Sequence, residues 1–188
     1  MNDKVFKNNA GQEFKVIDHR DIDRKFGKGT YKQYLVKFID TGFTKWVYRE
    51  NALDGKVRDL YAKSVYGVGY SGDADKSLHY YKQARQLWQN MLKRCYCEKD
   101  LKGYYGTVDV EPRWHSLENF LNDLPKLNNF DKWLDTKAGN YNLDKDFKGD
   151  GTVYSFETCQ FITEYENKSA GAKSRANGFK RVRGLVQN

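Results

Sequence analysis

The chain has 188 residues and a formal net charge of +8; aromatic residues make up 15% of it and charged residues 31%. That length suits one ordinary domain or two small ones, and so much Tyr, Trp and Phe excludes a disordered chain. No run of about 18 apolar residues occurs, and Met1-Asn2-Asp3-Lys4 lacks the layout of a secretory leader, so a cytoplasmic protein without a membrane partner is expected. Three cysteines, Cys95, Cys97 and Cys159, are too few and too unevenly spaced for a disulfide framework. Their one close pair is Cys-x-Cys, a poor zinc pattern even with His79 or His115 nearby.

Charge is unevenly placed. Residues 1–60 carry 13 Lys+Arg against 9 Asp+Glu, residues 61–167 carry 14 against 16, and residues 168–188 carry six against none. Basic ends suit phosphate contact, and a slightly acidic middle suits a divalent cation.

In chain order, residues 1–60 read as a small β-rich DNA-binding module. Glu13 to Asp18, Tyr31 to Ile39 and Phe43 to Tyr48 are rich in β-branched and aromatic residues in rough alternation. Asp40-Thr41-Gly42 reads as a three-residue hairpin loop with Gly at the position needing positive φ. Lys32, Lys37, Lys45 and Arg49, interleaved with Tyr31, Tyr34 and Trp46, form a candidate face for phosphate contact and base stacking. Residues 61–76, punctuated by Gly67, Gly69 and Gly72, read as a linker.

Residues 77–172 read as the second domain. A helix is expected from Ser77, with Tyr80, Ala84, Leu87, Trp88, Met91, Leu92 and Cys95 on its core stripe. A second is expected from an N-cap at Ser116, presenting Leu117, Phe120, Leu121 and Leu124 and stopping before Pro125. Trp114 and Trp133 read as core residues.

From Leu143 alternation puts Asp144 and Asp146 on one face. The Gly149-Asp150-Gly151 turn and Thr152 to Tyr154 complete an expected β-hairpin over residues 142–154. Thr163-Glu164-Tyr165-Glu166 is a capping box opening a helix that carries Asn167. Asp144, Asp146 and Asn167 are hard oxygen donors, which favours Mg²⁺ or Mn²⁺ over zinc. The tail over residues 173–188, with Lys173, Arg175, Lys180, Arg181 and Arg183, reads as a DNA-tracking arm.

Trp88-x-x-Met91-Leu92-x-Arg94-Cys95-Tyr96, Trp114 to Phe120, Leu143-Asp144-Lys145-Asp146 and Tyr154-Ser155-x-x-Thr158-Cys159-x-Phe161, followed by Asn167, resemble phage-encoded HNH-like homing endonucleases of the ββα-metal class. The N-terminal part, with Phe38-Ile39-Asp40-Thr41-Gly42 and Tyr66-Gly67-Val68-Gly69-Tyr70, is similar to the DNA-binding lead-in of such proteins. The resemblance implies an α+β chain: a small N-terminal β unit, then a helical region, then a ββα hairpin-helix module. It implies a metal-dependent endonuclease acting on double-stranded DNA in the host cytosol, with Asp144, Lys145, Asp146 and Asn167 at the site and Asp144, Asp146 and Asn167 holding the cation. Relatives read Asp-His where this chain reads Asp144-Lys145, so the usual base is replaced. The alternative is a catalytically inactive phage protein on the same fold that binds DNA or inhibits a host protein.

Overall fold

The computed structural model describes residues 4–25, 28–99, 105–135, 137 and 139–169. The chain is α+β and divides into two units, the first running to Ala62 and the second starting at Lys63.

The first unit is a four-stranded antiparallel meander, β1 (Val5–Lys7), β2 (Glu13–Asp23), β3 (Thr30–Phe38) and β4 (Thr44–Tyr48), followed by the short helix α1 (Arg49–Leu53). One face of the sheet, with α1 and the segment after it, buries Phe14, Val36, Phe38, Ala52 and Val57. Phe14 and Phe38 lie opposite each other in register, their ring centres 5.7 Å apart, so the pair pins the β2–β3 alignment. Gly42 takes the positive φ that the sequence suggests, +72°, but the loop is longer than the expected three residues: Phe38 N donates to Phe43 O and closes it around residues 39–42. Two other differences stand out. The three-residue β1 carries too little pattern to be read as a strand, and β2 continues five residues past Asp18. Charged residues hide that extension from a hydrophobic reading, because the backbone ladder with β3 alone defines it.

The expected linker over residues 61–76 is not free: Tyr61 packs on Phe43 in the first unit, and the segment from Lys63 belongs to the second. Val65 and Val68 pack on the core, Tyr70 bridges to Ser116, and a Cβ added at Gly69 would stand 2.5 Å from Leu92 Cδ1. Small residues here let the backbone lie close against α2 (Tyr81–Tyr96). That helix begins four residues later than expected because Asp75 takes both the backbone N–H and the hydroxyl of Ser77, at 2.8 and 2.6 Å. A side chain committed to that turn does not cap a helix. Its core stripe is as read, with Ala84, Trp88, Met91, Leu92 and Cys95 buried.

Helix α3 (Leu117–Asp123) starts at Ser116, whose Oγ accepts from Asn119 N, and buries Leu117, Phe120 and Leu121, with Leu124 buried just beyond it. Trp114 is fully buried and Trp133 of α4 (Phe130–Leu134) nearly so; Trp88 Nε1 donates to Trp114 O at 2.7 Å.

The expected hairpin over residues 142–154 does not form. β6 (Tyr141–Asp144) pairs antiparallel with β8 (Gln160–Thr163), whereas β7 (Val153–Tyr154) pairs in parallel with β5 (Asp109–Val110). Burial decides the partner. Phe161, opposite Leu143, is fully buried and stacks on Trp133 at 4.8 Å between ring centres, a gain the two-residue β7 does not offer β6. Reciprocal bonds between Ser155 and Thr158 turn the chain from β7 into β8. The helix α5 (residues 164–169) follows at once, capped by Thr163 Oγ1 accepting from Glu166 N and by Glu166 accepting from Thr163 N. Two antiparallel strands followed by a helix are thus present, with Gln160–Thr163 as the second strand.

Candidate functional site

β6 ends at Asp144 because that side chain turns the backbone. Its Oδ2 accepts the N–H groups of Asp146 and Phe147 at 3.1 and 2.8 Å, an Asx-type turn. Alternation stops there: Leu143, Asp144 and Lys145 are buried in succession, and Asp146 and Phe147 are exposed. The two carboxylates therefore do not project side by side from a strand. Lys145, only 3% exposed, turns inward; its Nζ stands 2.5 Å from Asp146 Oδ1 and 5.4 Å from the centre of the Tyr154 ring. The loop closes over this corner at two glycines. A Cβ on Gly149 would lie 3.1 Å from the Lys145 carbonyl oxygen, and one on Gly151 2.6 Å from Asp146 Oδ1.

Burial raises the Asp144 carboxyl above the ordinary carboxylate value; the Phe147 N–H opposes the shift and the neighbouring Asp146 charge adds to it. Burial also pushes the Cys159 thiol up to about 12 and the Cys95 thiol up to about 11, so neither is a thiolate nucleophile at neutral pH. As arranged, the Asp144 carboxylate holds a turn, and the Asp146 carboxylate, 39% exposed, pairs with the buried Lys145 ammonium.

Asn167 is elsewhere. It lines a cleft of about 510 Å³ with Trp133, Asn140, Asn142 and Glu164, and neither Asp144 nor Asp146 lines that cleft. The ladder explains the separation: α5 leaves β8 beside Tyr141, whereas Asp144 sits opposite Gln160 at the other end of the pair. Among the described residues, no group of three or more His, Cys, Asp and Glu side chains is placed to hold a metal ion. Asp144, Asp146 and Asn167 as arranged do not fit the Mg²⁺ or Mn²⁺ that the resemblance implies.

The basic residues expected on one face of the first unit are divided between two. Lys32 lies opposite Asp21 and Lys45 opposite Val36, on the face that carries the core. Lys37 lies opposite Lys15, on the other face. Arg49 opens α1, and its Nε donates to Tyr34 Oη at 3.1 Å. Lys173, Arg175, Lys180, Arg181 and Arg183 lie outside the described residues. No helix among the described residues is long and apolar enough to cross a membrane.

Two polar clusters were not legible in the sequence. Tyr96 Oη donates to Asp109 Oδ1 and lies 3.0 Å from His115 Nε2; three separate segments meet there, and no spacing rule connects them. Burial lowers the His115 pKa and, with Asp109, raises that of Tyr96. The second cluster surrounds buried Asp123, which accepts from Arg113 Nε at 2.8 Å, Trp114 Nε1 at 3.2 Å and Lys126 Nζ at 3.3 Å. Burial alone would raise its carboxyl, yet these donors together hold it below the ordinary value. Comparison with family models, with curated proteins and with solved structures gave no match.

Proposed function

We propose that the chain is a double-stranded-DNA-binding protein on an HNH-like ββα scaffold, in which the Asp144-Lys145-Asp146 corner braces the fold and does not hydrolyse DNA. One observation carries this reading: Lys145, at the position where relatives place the base, is buried with its ammonium on Asp146. An ammonium so held is a proton donor with no lone pair to offer water, so it does not act as the base that a His supplies. The excess of Lys and Arg over residues 1–60 and 168–188 supplies the phosphate-neutralising charge.

A second reading, cleavage with a divalent cation, has one observation in its favour. The order β6, β8, α5 follows the ββα class, with Asp144 closing the first strand. One experiment separates the two. Supercoiled plasmid is incubated with the protein and Mg²⁺ or Mn²⁺, beside Asp144→Asn, while binding to a labelled duplex is followed over a salt series. Salt-sensitive binding without nicking is the expected outcome. Nicking by the native chain that Asp144→Asn abolishes establishes the second reading. An affinity indifferent to salt removes the DNA-binding basis of both.

A further inference from the structure

The β2–β3 hairpin is longer than the strands on either side of it. β1 pairs with β2 no further than Lys15, and β4 pairs with β3 no further than Gln33. Beyond those points Asp21–Asp23 and Thr30–Lys32 pair only with each other, so a two-stranded ribbon projects from the sheet. Its two faces differ in charge. Period-two alternation puts Arg20 and Ile22, with Tyr31 and Gln33 opposite them, on the face away from the core. His19, Asp21 and Asp23 lie on the other face, with Tyr34, Lys32 and Thr30 opposite them.

The arginine face is also ordered. The Arg20 guanidinium lies 4.1 Å from the centre of the Trp46 ring, and its Nε donates to Gln33 Oε1 at 2.8 Å. The Arg24 guanidinium lies 4.7 Å from the centre of the Tyr31 ring, which packs edge-on against Tyr48 at 5.4 Å. Neither arginine is in an ion pair among the described residues. A guanidinium carries five N–H donors, and the single bond from Arg20 to Gln33 leaves its terminal nitrogens for a ligand. Stacking fixes the plane of each fork before any ligand arrives, which lowers the ordering cost of a bidentate contact.

We infer that this face of the β2–β3 ribbon, with Arg20 and Arg24 as its contacts, docks on duplex DNA; the inference rests on the DNA-binding reading above. The major groove admits a two-stranded β-ribbon, and forked arginine donors match phosphate oxygens and the O6/N7 edge of guanine. On the other face Asp21 and Asp23 outnumber Lys32, so the arginine face is the one that phosphates favour.

The test uses the full chain and a fluorescently labelled duplex, with anisotropy measured across a salt series and circular dichroism confirming the fold of each variant. Arg20→Gln/Arg24→Gln is expected to weaken binding at least about tenfold and to flatten the salt slope by up to about two. Lys7→Gln/Lys56→Gln removes the same charge away from the ribbon and is expected to weaken binding far less. Arg20→Lys keeps the charge without the fork and is expected to fall between native and double variant. If the arginine pair binds as the native chain does, or the distant lysine pair loses as much, the ribbon assignment is overturned and the DNA-binding reading stands. If the native chain shows no salt-dependent binding, both fall.

Discussion

Replacing Asp144 separates the two things its carboxylate does. Asp144→Ala leaves the N–H groups of Asp146 and Phe147 without their acceptor and opens the turn that ends β6. Each lost bond is worth about 1 kcal/mol net, so Asp144→Ala should lose about 2 kcal/mol. Asp144→Asn retains an oxygen for both donors and removes a charge that burial disfavours, so at pH 7 it should lie within about 0.5 kcal/mol of the native chain. The pH dependence has a definite sign. A folded pKa raised above the unfolded value contributes stability below the unfolded pKa, and that contribution is lost as pH rises through the folded value. The asparagine variant therefore compares better with the native chain at pH 7 than below pH 3.8. Urea melts of the three proteins at both ends of this range, read as midpoints at constant slope, make the comparison. Equal losses for Asp144→Ala and Asp144→Asn at pH 7 would refute it, because the charge and not the acceptor would then be holding the turn.

Three other outcomes follow from the packing. Asp123→Ala leaves Trp114 Nε1 without its carboxylate partner and should cost about 2 to 4 kcal/mol in urea unfolding, more than Arg113→Ala, whose side chain is half exposed. The depressed Asp123 pKa means that its contribution is present above 3.8 and lost as pH falls through the folded value; a native-minus-variant difference that grows toward acid would contradict this. His115 has its pKa lowered by burial, so native stability should fall as pH drops from above 6.5 through the folded value, and His115→Asn should flatten that segment of the stability curve. Gly69→Ala should cost about 1 to 3 kcal/mol by thermal or urea melting, since the new methyl meets Leu92 Cδ1 at 2.5 Å and the Trp88 ring at 3.0 Å.

What the sequence disclosed depended on whether the information was local. The α2 stripe, the Ser116 cap, the Thr163 capping box and the positive φ of Gly42 are each written in one continuous stretch of chain, and each appears as read. The partner of β6 is not written locally. Residues 152–154 lie closer in sequence, but Gln160–Thr163 brings Phe161 onto Trp133, and core burial outweighs proximity. Asp144 and Asp146 were misplaced for a related reason: alternation holds only while the strand continues, and the Asp144 side chain ends it. The Arg20-Asp21-Ile22-Asp23-Arg24 segment carries a period-two pattern written in charge, which a search for apolar alternation passes over.

The pairing of β5 with β7 also bears on how the chain is made. It joins Asp109 to Val153, and the core of the second unit spans from Tyr80 to Phe161. The meander of the first unit closes through neighbouring strands alone. Contacts between distant residues form slowly, because the chain between them must be drawn in before any contact rewards it. During synthesis the first unit is therefore expected to fold on emergence. The second, whose core draws on residues as far as Phe161, is expected to complete its packing only after β8 has been made.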